Sequence, residues 1–127
     1  MVQPYLIILP TENRGRGVFA TAEIPEGTII EISPVIVMEQ QDRSHLDQTK
    51  LHDYIFEWGG KLLQCCVGLG YISIYNHAYL ANCEYEMDFD NELMTIKTVA
   101  PIKKGEELFI NYNGTFNDSK PVWFEVQ

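Results

Sequence analysis

The distribution of apolar residues along the chain predicts short β-strands rather than long helices. Apolar and β-branched residues come in runs of four to six, and Gly, Pro, Asn or Asp residues separate the runs. Runs bounded in this way are typical of strands, and no convincing long amphipathic helix is found. Strands are predicted at residues 5–9, 17–21, 27–32, 35–38 and 107–112. The predicted fold class is mainly β.

Two further pairs of segments predict β-hairpins. Residues 54–58 and 61–67 lie on either side of the pair Gly59-Gly60. Residues 83–89 and the run that starts at Glu92 lie on either side of Asp90-Asn91, with alternating apolar and polar positions on both arms. Two-residue turns of these types favour a tight reversal between antiparallel strands.

One segment differs in character, and two others resemble each other. Residues 39–53 are polar, with widely spaced leucines, and predict a variable connecting insert with one helical turn. Residues 22–32 and 100–110 share Ala, then Ile two positions on and Gly five positions on, followed by a strand. Because glycine permits the turn before each strand, this echo predicts two similarly built sheet corners.

Length and composition indicate one soluble domain over residues 1–127. No apolar run approaches the roughly 20 residues of a membrane-spanning helix, and the first residues do not form a signal peptide. We therefore expect a cytoplasmic protein. Three cysteines without CxxC spacing argue against a disulfide framework and against zinc, and no metal is expected.

The net charge of −9 bears on the choice of partner. It disfavours a nucleic-acid binder, because such surfaces need basic patches to neutralise phosphates. An acidic surface suits a basic partner such as a lysine-rich protein segment. Acidity serves solubility equally well, so the charge leaves both interpretations open.

Three separated motifs occur in a defined order: GRGVF at residues 15–19, NHAYLAN at 76–82, and GEEL at 105–108 followed by Tyr112. Each is weak by itself. Together they resemble the SET-domain family of protein lysine methyltransferases, and most of all its small bacterial members. The resemblance runs from about Arg14 to Phe124. It implies a β-clip-like fold of short sheets, in which the C-terminal aromatic closing segment, residues 113–127, threads in a knot-like arrangement under the loop that holds Asn76.

The same resemblance implies an S-adenosylmethionine-dependent lysine N-methyltransferase and gives roles to individual residues. Tyr112 is expected beside the transferred methyl group, where its hydroxyl orients the amine. Tyr85 is expected to line the lysine channel, with Tyr54 as a further wall; the alternative for Tyr85 is cross-strand packing. The implied cofactor-binding residues are Gly15, Arg16, Gly17, Asn76, His77, Tyr112 and Trp123. Asn82 is expected to fix its loop by bonding nearby backbone.

Two positions depart from the family pattern. Ala78 and Ala81 stand where serine and proline are usual, which removes a hydroxyl and a fixed φ. The alternative function is therefore a non-catalytic SET-fold binding module that retains cofactor or peptide binding. The sequence does not identify the target protein or the number of methyl groups added. Targeting is left to the 39–53 insert, to a second copy in a homodimer, or to a separate partner.

Overall fold

Short β-strands dominate the computed structural model, which describes residues 1–59 and 64–112. In chain order the strands are β1 (Leu6–Pro10), β2 (Arg16–Ala20), β3 (Ile29–Glu39), β4 (Ile55–Trp58), β5 (Gln64–Gly68), β6 (Asn76–His77), β7 (Cys83–Asp88), β8 (Leu93–Thr98) and β9 (Glu107–Ile110). The prediction of a mainly β fold is confirmed.

The strands form two sheets. One has four strands in the order β1-β2-β9-β6, and the other has five in the order β4-β5-β3-β8-β7. Neighbouring strands are antiparallel except for β6 and β9, which run parallel through the pairs Asn76–Phe109 and His77–Ile110. This parallel pairing brings the second and third sequence motifs side by side.

The strand pairing of both predicted hairpins is confirmed, but both connections are longer than two residues: residues 59–63 lie between Trp58 and Gln64, and residues 89–92 lie between Asp88 and Leu93. β4 pairs with β5 from Ile55 opposite Val67 to Trp58 opposite Gln64. β7 pairs with β8 along six residues on each strand. The two strands predicted at 27–32 and 35–38 are one strand, β3. Pro34 lies at the point where the partner of β3 changes from β8 to β5.

The connecting insert contains more helix than the single turn predicted. It forms helix α1 (Gln40–Leu46) and a 3₁₀ helix at Lys50–Tyr54. A capping box starts α1, since the side chains of Glu39 and Asp42 each accept from the backbone N–H of the other. A second 3₁₀ helix, Ile72–Ile74, precedes the Asn-His motif. None of the described helices is long and apolar enough to cross a membrane.

The two echoed segments are paired with each other. The backbone N–H of Ile24 donates to the carbonyl oxygen of Ile102 at 2.9 Å, and the reverse bond is 2.8 Å. Each unit turns at a glycine with positive φ, 79° at Gly27 and 90° at Gly105. The sequence echo thus corresponds to two similarly built corners that face each other.

The buried core contains residues from both sheets. Phe56, Tyr75 and Tyr112 belong to the buried core cluster. The other large side chains with under 2% exposure include Ile30, Ile55, Ile72, Met94, Ile96, Leu108 and Ile110. Tyr112, which is predicted to lie beside the transferred methyl group, is therefore packed into the fold.

Candidate active site

Tyr112 follows β9 and is held at both ends. Its phenol hydroxyl donates to the carbonyl oxygen of Tyr75 at 2.9 Å, and its backbone N–H donates to Nδ1 of His77 at 3.0 Å. The residue is 8% exposed. Both bonds join β9 to the segment that enters the Asn-His motif, so the ring of Tyr112 lies next to that motif.

An aromatic wall lines one side of Tyr112. The ring of Phe56 stacks on that of Tyr112 with centroids 4.7 Å apart. Tyr85 meets Phe56 edge to face at 5.5 Å, and its hydroxyl donates to the carbonyl oxygen of Tyr112 at 3.0 Å. Three aromatic rings from β4, β7 and the end of β9 therefore converge.

Burial keeps these phenols protonated. Desolvation is the main cause that raises the pKa of Tyr112 above its ordinary value, followed by the neighbouring Tyr85 and Tyr54. Burial likewise raises the pKa of Tyr85. A neutral phenol has one proton and two lone pairs. Since the Tyr112 hydroxyl donates its hydrogen bond to the carbonyl oxygen of Tyr75, the phenol oxygen can act towards a substrate only as an acceptor.

The glycine turn lies against the Asn-His motif through a close contact at Gly17. The Asn76 side-chain amide donates to the carbonyl oxygen of Arg16 at 3.2 Å and to Oε2 of Glu107 at 2.7 Å. A Cβ on Gly17 would lie 2.4 Å from that Glu107 oxygen and 2.9 Å from the Asn76 nitrogen. Because glycine has no side chain, it leaves room for the Glu107 and Asn76 side chains against the β1–β2 hairpin backbone.

His77 is a buried, neutral link between elements. Its Nδ1 accepts from Tyr112, so Nδ1 is unprotonated. Burial, followed by the Arg14 guanidinium, lowers the pKa of His77. The same arginine donates to the carbonyl oxygen of His77 at 2.8 Å and lies over the ring of Phe109. Arg14 therefore attaches the start of the glycine turn to the Asn-His motif.

The loop after the Asn-His motif is tied to β9 despite its two alanines. Asn82 donates to the carbonyl oxygen of Glu107 at 3.0 Å and accepts from the backbone N–H of Phe109 at 2.8 Å. The backbone N–H of Ala78 donates to Ile110, and Asn111 donates to Tyr79. The expectation that Asn82 fixes its loop is thus confirmed, and hydrogen bonds hold the loop without the usual serine and proline.

The structure brings most of the predicted site residues together. Arg16, Gly17, Asn76, His77, Tyr85 and Tyr112 are connected by the contacts above. Gly15 forms the hairpin turn with φ of 67°. Tyr54 ends the 3₁₀ helix of the insert, partly buried, near enough to raise the pKa of Tyr112. Trp123 lies outside the described residues, as does the predicted threading of residues 113–127.

Other residues at the site were not predicted from the sequence. They are Arg14, Glu31, Phe56, Tyr75 and Glu107. The apolar run at residues 54–58 was a usable signal, since a strand there places Phe56 and Trp58 on one face. Within the described ranges, no group of three or more His, Cys, Asp or Glu side chains is placed to hold a metal ion.

Comparisons with known proteins identify the family. The sequence-family model of the SET domain matches residues 15–113 of this chain. A histone-lysine N-methyltransferase of Schizosaccharomyces pombe, specific for H3 lysine 37, is 35% identical over 126 residues, which cover 98% of this chain and 80% of the relative. This relative is from fission yeast, so the resemblance to small bacterial members in particular stays a prediction.

Solved structures share the fold. A Plasmodium falciparum protein assigned as a histone methyltransferase superposes with a TM-score of 0.66 at 28% identity, covering 87% of this chain and 95% of that one. A ctPRC2 complex bound to S-adenosylmethionine gives a TM-score of 0.73 at 20% identity, covering 87% of this chain and 15% of that one. The chain belongs to the SET domain family and is a protein lysine methyltransferase.

Proposed function

We propose that this SET domain transfers a methyl group from S-adenosylmethionine to a lysine amine of a basic protein segment, at the face where Tyr112 meets the Asn-His motif. The observation that supports this most is the fixed phenol of Tyr112. Hydrogen bonds hold it against the segment that carries Asn76 and His77 on one side, and Phe56 and Tyr85 pack on the other. The site thus has a cofactor side and a substrate side around one hydroxyl.

The cofactor side fits a cationic, amine-bearing ligand. The close approach at Gly17 leaves the hairpin backbone beside the Asn76 side-chain amide. The Glu107 carboxylate accepts a hydrogen bond from the same amide. The oxygens of backbone carbonyls, of an amide and of a carboxylate accept hydrogen bonds from an ammonium group, and their partial or full negative charge stabilises a neighbouring sulfonium. When bound, S-adenosylmethionine supplies a methyl group whose bond to sulfur breaks as the lysine nitrogen attacks.

The substrate side favours an uncharged amine. A lysine ammonium has a pKa near ~10.4 in water and must lose a proton to become a nucleophile. The packed rings of Phe56, Tyr85 and Tyr112 provide a desolvated wall that disfavours the charged form. The oxygen of Tyr112 accepts from the amine N–H and aligns the nitrogen lone pair, which is a gain in positioning.

A histone tail is the substrate to test first. The S. pombe relative is a histone-lysine N-methyltransferase, and the net charge of −9 complements a lysine-rich tail. We therefore propose a basic, extended protein segment as the substrate class.

The test is the transfer of labelled methyl groups from S-adenosylmethionine to recombinant histones. We expect wild type to label a lysine and Tyr112→Phe to be about a hundredfold slower, because the orienting oxygen is lost. Tyr5→Phe is the matched control, since it removes a phenol oxygen from a partly buried core tyrosine. Cofactor binding without labelling by any variant would favour the non-catalytic binding module.

A further inference from the structure

A carboxylate is buried behind the active-site tyrosine. Glu31 in β3 is fully buried, although its neighbours Ile30 and Ile32 show that the strand otherwise supplies apolar groups here. Burying an acid costs free energy unless hydrogen bonds satisfy it. The surroundings of Glu31 therefore have to provide those bonds.

Three donors satisfy the Glu31 carboxyl group. One oxygen accepts from the Ser33 hydroxyl at 2.7 Å and from the backbone N–H of Tyr71 at 2.8 Å. The other accepts from the Tyr75 hydroxyl at 2.8 Å. Gly70 makes room for this arrangement, because a Cβ there would lie 2.4 Å from the first oxygen.

Tyr75 connects this carboxyl group to the active site. Its side chain is fully buried and bonded to Glu31, and its carbonyl oxygen accepts the hydroxyl proton of Tyr112 at 2.9 Å. Side chain and carbonyl share one backbone position, so fixing the phenol of Tyr75 restricts the position of the carbonyl. The chain of contacts runs Glu31, Tyr75, Tyr112.

We propose that Glu31 is a positioning residue for methyl transfer, which holds Tyr75 so that its carbonyl oxygen orients the Tyr112 hydroxyl. The proposal rests on the proposed function and adds to it a pair of residues, Glu31 and Tyr75, that need not touch either substrate. It predicts an effect on kcat rather than on binding, because only the orientation of the acceptor oxygen changes.

The decisive variant is Tyr75→Phe, which keeps the ring and removes the bond to Glu31. We expect kcat to fall about tenfold while KM for a histone substrate and Kd for S-adenosylmethionine stay within about twofold. Glu31→Gln should have a kcat between those of wild type and Glu31→Ala, because its amide has one acceptor oxygen, and its NH2 group must face either the Tyr75 hydroxyl or the Tyr71 N–H. Glu31→Ala should be at least as slow as Tyr75→Phe.

Thr98→Val is the control for lost buried hydrogen bonds. Its hydroxyl donates to the carbonyl oxygen of Pro25 and accepts from the backbone N–H of Thr28, so the variant loses comparable stability without touching Glu31 or Tyr75. If Glu31→Ala does not fold, the comparison of Tyr75→Phe with Thr98→Val still decides the matter.

Each outcome has one meaning. Equal kcat for Tyr75→Phe and Thr98→Val would overturn the positioning role and leave the proposed function intact. A kcat for Glu31→Ala equal to that of Thr98→Val would also overturn it, since the carboxyl group would then not position Tyr75. Absence of methylation by wild type and Thr98→Val would overturn the proposed function, and the positioning role with it.

Discussion

The hydroxyl of Tyr112 donates to the carbonyl oxygen of Tyr75 at 2.9 Å, across 37 positions of sequence. This bond determines what the phenol can do. Burial raises its pKa, so it stays protonated and is not a general base. In the proposed reaction its oxygen orients a lysine amine, which has released its proton to solvent because the aromatic wall disfavours the charged form.

Gly17→Ala should weaken cofactor binding. The new methyl group would lie 2.4 Å from Oε2 of Glu107 and 2.9 Å from Nδ2 of Asn76, so these two side chains have to shift and their arrangement at the cofactor side is disturbed. We expect the Kd for S-adenosylmethionine, measured by calorimetry, to rise about tenfold. Gly27→Ala is the control: its φ of 79° makes alanine strained, but no atom lies within 4 Å of the new methyl group. Equal affinity of Gly17→Ala and wild type would contradict the proposed contact.

Tyr85→Phe should slow catalysis moderately. The variant keeps the edge-to-face contact with Phe56 but loses the bond to the carbonyl oxygen of Tyr112. We expect a loss of about 1 kcal/mol in unfolding free energy and about tenfold in kcat. Urea unfolding and single-turnover labelling measure the two effects. Unchanged kcat would assign Tyr85 to cross-strand packing alone.

Asn82→Asp should destabilise the fold. The side chain of Asn82 substitutes for a strand neighbour of β9, as it donates to Glu107 and accepts from Phe109. An aspartate keeps the acceptor but turns a carboxylate oxygen towards the Glu107 carbonyl oxygen. We expect the unfolding free energy to fall by about 1–3 kcal/mol. Asn13→Asp, at an exposed bend, should change little, and equal stability of the two variants would refute the role of Asn82.

Acidification should weaken the folded state through His77. Its pKa is lowered in the fold from the usual 6.5 by burial and by Arg14. The unfolded chain therefore takes up this proton more readily than the folded chain. The resulting loss of stability begins as the pH falls through about 6.5 and is complete below the folded pKa.

Urea unfolding at pH 7.5, 6.5 and 5.5 checks this effect. The urea midpoint of wild type should fall over this range more than that of His77→Asn, which retains an acceptor for Tyr112 but does not titrate. Parallel pH profiles of the two proteins would show that His77 does not carry the dependence.

Local patterns predicted much of the fold, because hairpins and corners depend on neighbouring residues. The turn at Asp90-Asn91 and the echo between Ile24 and Ile102 are examples. The parallel pairing of β6 with β9 joins distant segments, and only the family resemblance placed the two motifs together. Pro34 was a misleading local signal, because it suggested a break between two runs that form the single strand β3.

The sequence predicted several residues of the candidate site but not the contacts between them. The motifs pointed to Asn76, His77 and Tyr112, which the structure brings together. Glu31 was read only as part of a strand, because its partner Tyr75 lies 44 positions away and spacing does not identify such partners. A single acid within an apolar strand was the available signal. The cytoplasmic location stays a prediction.

The distance from the Tyr112 hydroxyl oxygen to the substrate nitrogen tests the account most directly. It can be measured in a crystal of the protein with S-adenosylhomocysteine and a lysine-containing histone peptide. We predict a separation of about 3 Å, a hydrogen-bond length, with the amine between the phenol and the sulfur. A lysine bound elsewhere, with the Tyr112 oxygen out of hydrogen-bonding range of its nitrogen, would contradict the account.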